Sequence, residues 1–388
     1  MELNPVLIFG DTETSGLEPE DRIVQIAFSY IDKPHSNYGN SFFLNPKRYT
    51  FDELCNPGID INPEASQYTG IFDCHVKNKK KLSETQSFKT LNKLLAKDNT
   101  YFIAYNAPFD VDMLEKDGLF IPTRKIIDLY RIVKHLYKDH KIKNRNGDDV
   151  PLANNKMQYF RGLLKFDEQE DFHSLVKEYG LDSIQSHTAL SDVVVLEYFY
   201  HYICQEFNLS FEEMLKLSNT PVLEPFITFG NVFEKGTPFE VCFSSTYEQY
   251  GRMKNGYDYL DWVSNNLTLS VDTKWSLKIH FFNALVSGTV PFNEKFLKYL
   301  NYGLIFEKNP DKIEKALSLL NKEESYIFRA RKEFISNLEV EVEELINAEL
   351  GDRFPSLFLL NYLNTYFKTN ENEDFIVIEE PIHTDIDS

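Results

Sequence analysis

The chain is poor in cysteine, short of positive charge, and without any long apolar run. Cys55, Cys74, Cys204 and Cys242 are its only cysteines, and no two stand in CxxC spacing. That leaves no disulfide or zinc framework to read, and a reduced, cytoplasmic protein is the expectation. The adjacent Cys74 and His75 read as incidental rather than as half of a zinc site. No stretch approaches the ~18 uninterrupted apolar residues of a membrane span, and no charged-then-apolar leader opens the chain, so no membrane contact is expected. No internal repeat is evident, which excludes a solenoid. Lys and Arg together number 41 against 60 Asp and Glu, a net charge of −19.

What is present begins at the first strand. Val6-Leu7-Ile8-Phe9-Gly10 is an apolar run that ends in Asp11, Thr12, Glu13, Thr14, Ser15 and Gly16. A strand carries side chains at i and i+2 on one face, so Asp11 and Glu13 point together from the strand end. Adjacent anions raise each other's pKa unless a cation lies between them. The pair therefore suggests a divalent-metal site. A second apolar run, Tyr101 to Tyr105, leads through Asn106, Ala107, Pro108 and Phe109 to Asp110. A third segment, His187-Thr188-Ala189-Leu190-Ser191-Asp192, opens an apolar helix-like stretch from Val193 to Phe199. Five residues of helix turn a side chain about 140°, so His187 and Asp192 do not share a face within one helix. They converge when Asp192 occupies the first helical turn and His187 the connection before it.

These three segments resemble the three motifs of the DEDD exonuclease superfamily, in the branch that uses histidine: D-x-E-T-x-G, N-x-x-F-D and H-x-A-x-x-D. All four acids and the histidine are present in the family's order over about 190 residues. The resemblance implies that Asp11, Glu13, Asp110 and Asp192 hold two Mg²⁺ or Mn²⁺ ions about 3.5–4 Å apart for phosphodiester hydrolysis. All-oxygen ligation suits such hard cations. It implies that His187 is the general base, a task for which imidazole, titrating near neutrality, is suited. It also implies nucleic-acid contacts for Thr12, Thr14, Asn106 and Phe109, the last by ring stacking.

Neighbouring features extend the likeness. Glu64, Ala65, Gly70 and Ile71 resemble the loop that shapes the terminal-nucleotide pocket of polymerase-proofreading exonucleases, although Thr69 stands where those relatives carry histidine. Asp128 resembles the family's I-D-T strand end and reads as a cap on a helix from Arg131 to Tyr137.

Nucleic-acid binding ordinarily requires a basic face. Residues 1–205 carry 24 Lys and Arg against 30 Asp and Glu, a net −6; residues 206–388 carry 17 against 30, a net −13. With four acids assigned to metal, the first part is nearly neutral. Lys77, Lys79, Lys80 and Lys81 form one basic cluster, and Lys138, Lys141, Lys143 and Arg145 another. Each reads two ways, as a flank for a nucleic-acid strand or as a solvated loop. An enzyme that holds only the last few nucleotides needs no broad basic surface.

The expected organisation follows. Residues 1–205 read as a ribonuclease H-like α/β exonuclease domain with a mixed central sheet, with further strands at 23–28 and near 41–44. A polar, mobile loop is expected between Lys138 and Leu152, then a helix from Asn155. Residues 206–226 read as a linker. Residues 227–288 resemble the small α+β C-terminal module of exodeoxyribonucleases of the X type, a T-F-G hairpin followed by a Y-L-x-W helix, here Tyr259-Leu260-Asp261-Trp262. The basic hairpin of that module is here Gly230-Asn231-Val232-Phe233-Glu234-Lys235, and an insertion falls around residues 247–255. Residues 289–388 read as a mainly helical acidic extension, with helices at 313–320 and 334–350 and a disordered tail, able to dock a protein partner.

The expected function is a metal-dependent 3′→5′ exonuclease releasing nucleoside 5′-monophosphates from the single-stranded 3′ end of DNA. An RNA-trimming exonuclease shares the same motifs. A non-catalytic scaffold on a nuclease fold is the alternative of a different class, and four converging acids argue against it.

Overall fold

The computed structural model describes residues 5–31, 47–138, 140–143, 146–230, 232–296, 298–300, 303 and 309–320. The chain forms two compact units, Met1–Thr220 and Pro221–Ser388.

The first unit is built on a five-stranded sheet of order β3-β2-β1-β4-β5. Its strands are β1 (Val6–Thr14), β2 (Ile23–Ile31), β3 (Arg48–Leu54), β4 (Thr100–Ala104) and β5 (Ile126–Asp128). β1, β2 and β3 pair antiparallel, whereas β4 and β5 run parallel to β1. This mixed sheet, clothed by helices, is the ribonuclease H-like arrangement. A strand near 41–44 was expected; those residues lie outside the described ones.

Both faces of the sheet are covered, which is why β1 and β2 read as nearly continuous apolar runs rather than alternating ones. Ile8, Ile26, Phe28 and Phe102 pack against α3 (Gln86–Leu95) and α4 (Ala107–Lys116). Leu7, Phe9, Ala27, Ile103 and Ile127 face α5 (Leu129–Leu136), α6 (Met157–Leu163), α7 (Glu170–Glu178) and α8 (Ala189–Glu206). Two shorter helices, α1 (Pro63–Thr69) and α2 (Asp73–Val76), follow β3. Gly10 is obligatory on the crowded face, because a Cβ there would stand 2.4 Å from the Phe102 ring. α8 lies across β1 and β2 and is buried nearly all round, so it lacks the polar stripe of a surface helix.

A buried ionic cluster ties α8 to the far edge of the sheet. Glu197, 1 % exposed, accepts from Arg48 Nη2 at 2.6 Å, from Ser29 Oγ at 3.1 Å and from the Tyr179 hydroxyl. Arg48 also pairs with Glu178. Burying two charges is tolerated here because nearly every polar atom of the carboxylate has a partner.

Two expectations about organisation differ from what forms. The polar loop after Lys138 carries a short ribbon, β6 (Lys141–Lys143) with β7 (Asp149–Pro151). Part of the 206–226 stretch expected as a linker is α9 (Phe211–Asn219), capped by Ser210 and packed on α5 and β5. Ser218 Oγ accepts from the Asp128 backbone N–H at 2.7 Å, and the Ser218 carbonyl accepts from Arg131 at 3.1 Å. The apolar side of Phe211, Met214 and Leu215 explains the docking.

The second unit has its own core. It contains α10 (Phe239–Ser244), a hairpin of β8 (Thr246–Gln249) and β9 (Arg252–Asn255), α11 (Gly256–Asn266), α12 (Val271–Ser287) and a helix at Pro310–Leu320. Tyr259 and Trp262 lie on α11, as the Y-L-x-W pattern implied. Phe239, Phe243, Leu260 and Phe281 share this core with Val290, Phe296, Tyr299 and Ile313, so burial continues past residue 288. The Phe281 and Tyr299 rings stack at 3.9 Å between centroids. The helix expected at 334–350 and the tail lie outside the described residues.

Arg48→Ala leaves Glu197 buried without its counter-charge. Denaturant unfolding is expected to show a loss of about 3–5 kcal/mol; a loss below ~1 kcal/mol would show that the cluster is not a tie.

Candidate metal centre

Strand parity explains the core of the site. Asp11 and Glu13 continue the face of Leu7 and Phe9, which looks toward α8, while Thr12 belongs to the face that meets α4. The β1–β2 register shifts between Glu13 and Thr14, where Val24 is skipped and Thr14 pairs with Ile23. Asp192 stands in the first turn of α8. Ligand oxygens of Asp11, Glu13 and Asp192 all lie within 4.8 Å of one another.

Asp110 comes from the other side. It sits in the first turn of α4, is 3 % exposed, and accepts from Thr12 Oγ1 at 2.7 Å. That turn is fixed from below. Asn106 caps the helix in the left-handed region at φ 66°, and its N–H donates to Asp128 Oδ1 at 2.9 Å. The same oxygen accepts from the N–H groups of Ala107 at 3.3 Å and Tyr130 at 3.1 Å. Asp128 is therefore the expected cap on α5, and it also anchors the helix that presents Asp110.

The four carboxyls feel burial and one another. Desolvation, then Asp110, Asp192 and Glu13, push the Asp11 carboxyl well above the ordinary carboxylate range. Desolvation, then Asp192 and Asp110, raise Glu13 to about 8. Desolvation raises Asp110 to about 7 against the Thr12 hydrogen bond, and raises Asp192 to about 6 against the nearby His187. Clustered hard oxygens whose negative charge is disfavoured are what a divalent cation relieves. The donor set fits Mg²⁺ or Mn²⁺, with all four acids as candidate ligands.

His187 lies in the loop just before α8, exposed and at φ 63°. Its backbone N–H reaches the Asp192 carboxyl, and its ring meets the Tyr68 ring at 6.0 Å. The histidine and the Asp192 carboxylate thus converge in the way the spacing required.

The expected nucleic-acid contacts divide. Asn106 is exposed at the start of α4, and Phe109 is half-buried on the same helix. Thr12 and Thr14 are buried, and their hydroxyls are spent on Asp110 and on the Gly16 carbonyl at 2.8 Å. Their side chains therefore position the strand end rather than present hydroxyls to a ligand, because even-numbered residues of β1 turn away from the α8 face.

Gln158 is a residue the sequence did not mark. From α6 it donates through Nε2 to Asp192 Oδ1 at 2.6 Å. Its Oε1 accepts from Arg161 at 3.3 Å, and Arg161 in turn grips Asp167 through Nε at 2.9 Å and Nη2 at 2.6 Å. Arg161 fixes which end of the amide faces Asp192. On β2, Gln25 accepts from the Ala189 N–H at 3.3 Å and holds the start of α8.

Residues 8–200 match a family model described as exonuclease, of the RNase T type. This part of the chain is an exonuclease-family domain. Among curated proteins it is similar to the PolC-type DNA polymerase III of Lactococcus lactis, 32% identical over 136 residues, and to that of Streptococcus mutans, 31% over 137 residues. Each match covers 34% of this chain but only 7% and 8% of the polymerases, so the chain spans less than a tenth of these relatives. Among solved structures it is similar to exonuclease X in complex with 5′-overhanging duplex DNA, at 18% identity and TM-score 0.38, over 55% of this chain and 99% of that one. It is also similar to the nuclease domain of 3′hExo, a DEDDh family member bound to rAMP, at 15% identity and TM-score 0.35, over 53% of this chain and 94% of that one.

Two outcomes test the centre of the exonuclease domain. Acids with raised pKa bind more protons when folded than when unfolded, so they favour folding at low pH and the benefit is lost as pH rises through the folded values. In EDTA the melting temperature is expected to fall between about pH 5 and 8, and Mg²⁺ is expected to restore it most at the upper end; a flat profile would refute the clustering. Gln158→Leu removes a hydrogen bond to a candidate ligand. It is expected to weaken Mn²⁺ binding by about 10–100-fold in calorimetry, and unchanged affinity would exclude a positioning role.

Proposed function

We propose that the exonuclease domain removes nucleoside 5′-monophosphates from the 3′ end of a DNA strand by a two-metal mechanism. The convergence of Asp11, Glu13, Asp110 and Asp192, with His187 beside Asp192, carries this reading. When bound, a pair of divalent cations supplies the positive charge that activates water and stabilises the leaving oxygen. The chain's own residues do the rest. The four carboxylates hold the charge and fix where the phosphate sits. Thr12 and Gln158 keep Asp110 and Asp192 from turning away. His187, exposed and next to Asp192, accepts the proton of the attacking water on a ring nitrogen. The exposed Asn106 and half-buried Phe109 flank the place of the terminal nucleotide, the ring offering a stacking surface.

The 3′→5′ direction and the use of histidine rest on the motif resemblance, and the choice of DNA on the likeness to the named DNA polymerases. Among the described residues no helix is long and apolar enough to cross a membrane. The acidic region expected to bind a partner falls mostly outside the described residues.

The test is digestion of 5′-labelled single-stranded DNA and matched RNA with Mg²⁺, Mn²⁺ or EDTA. A metal-dependent ladder shortening from the 3′ end is expected, fastest on DNA; faster RNA trimming would reassign the substrate. Asp192→Ala is expected to abolish the ladder while leaving the folded domain intact, since it removes a candidate ligand and relieves repulsion. Near-normal cleavage by that variant would overturn the site.

A further inference from the structure

The second unit carries a feature that the reaction as described leaves unused. The hairpin of β8 and β9 closes with Gln249 paired to Arg252, so its loop is only Tyr250 and Gly251. Both stand at positive φ, 54° and 71°. A two-residue loop of that hand follows the twist of the strands it joins, and it favours asparagine or glycine at its first position. Tyrosine is a poor choice there, because a bulky side chain at positive φ is strained. Tyr250 nevertheless stands at the tip, 93 % exposed, where it gains almost no packing.

The strands below the tip add charge. Alternation and register place Tyr247, Gln249, Arg252 and Lys254 on one face, and Lys254 Nζ donates to Gln249 Oε1 at 2.8 Å across it. Arg252 and Lys254 are exposed, and among the described residues neither pairs with a carboxylate. Glu248, the hairpin's one acid, pairs with Met253 and so lies on the other face. The acids of α11 are already matched, Asp258 by Lys295 at 2.6 Å and Asp261 by Lys298 at 2.7 Å. The hairpin is thus a local positive spot within residues 206–388, which carry a net −13.

The base of the hairpin is fixed. The Tyr247 ring meets Tyr259 at 5.9 Å and Phe233 at 6.2 Å, both edge to face. The Gly256 N–H donates to the Ser245 carbonyl at 2.8 Å. Glycine permits this close approach, because a Cβ at 256 would stand 1.9 Å from the Cys242 carbonyl oxygen. A fixed base holds the ring and the two cations in place before any ligand arrives, so binding requires little further ordering.

We propose that this hairpin binds single-stranded nucleic acid, with a base stacked on Tyr250 and neighbouring phosphates held by Arg252 and Lys254. An exposed ring beside cations suits a strand, because every base offers a π face and every link a negative charge. Arg252 and Lys254 are two residues apart on one strand, about 7 Å, comparable to the step between adjacent phosphates. An acidic protein would meet the two cations but gives no reason for a strained, exposed tyrosine in place of asparagine. The hairpin lies outside the exonuclease domain, so this binding does not depend on the cleavage proposed above. It gives a chain of net charge −19 a grip on nucleic acid without a broad basic face.

The test is fluorescence anisotropy of a labelled oligothymidylate of about 20 nucleotides with the full chain, at low salt and in EDTA, where no metal-dependent cleavage interferes. Arg252→Gln/Lys254→Gln is expected to weaken binding at least tenfold and to make the plot of log Kd against log salt shallower by about 1.4, two phosphate contacts at ~0.7 each. Tyr250→Asn is expected to weaken binding at least fivefold through lost stacking, while the melting temperature holds or rises because asparagine suits the turn. Tyr250→Phe keeps the ring and is expected to bind as the wild type does. A wild-type chain that leaves the oligomer free would overturn the proposal. So would an affinity and salt slope unchanged by the Arg252 and Lys254 substitutions, or equal affinities for Tyr250→Asn and Tyr250→Phe.

Discussion

Four carboxyl groups meet at the end of one strand, three of them placed so that their oxygens lie within 4.8 Å, and their mutual repulsion is the constraint around which the first unit is arranged. Asp11 and Glu13 have no freedom to separate, because strand parity places them on one face. Asp110 and Asp192 arrive from two helices, and each is restrained by a neutral donor: the Thr12 hydroxyl for one, the Gln158 amide for the other. Neutral donors hold a carboxylate without cancelling its charge. A lysine or arginine in either place would stabilise the anions and compete with a cation for them.

α8 carries two loads at once. Asp192 in its first turn faces the centre, and Glu197, five residues and about 140° further round, faces the ionic cluster with Arg48 and Tyr179. The helix that positions a candidate ligand is thus fastened to β3 by a buried charge pair. Such a pair adds little net stability over an apolar substitute, but breaking it is costly, so it defines the helix position sharply. Asp128 does comparable work on the other side. One carboxylate oxygen collects the N–H groups of Asn106, Ala107 and Tyr130, and so locks the starts of two helices to the end of β5.

The charge balance makes sense at this scale. A protein that wrapped a duplex would need cations spread over a face. An exonuclease domain that handles only the last few nucleotides needs no such face, and clustered acids suit a metal centre.

Asp11, Glu13, Asp110, His187 and Asp192 were marked as candidates by three short motifs, each local: a strand end, the first turn of a helix, or the connection just before one. The apolar runs of β1 and β2 and the helix at Pro310–Leu320 were legible for the same reason, as periodicity is local. Gln158 was not, since nothing within its own helix announces an aspartate 34 residues away. Nor was the docking of α9 from a segment that reads as a linker, or the continuation of the second core through Phe296 and Tyr299. Those depend on which surfaces meet after the chain has folded. Local spacing and motif resemblance marked the candidate groups, because both live in short segments; packing between distant segments decided how those groups are held.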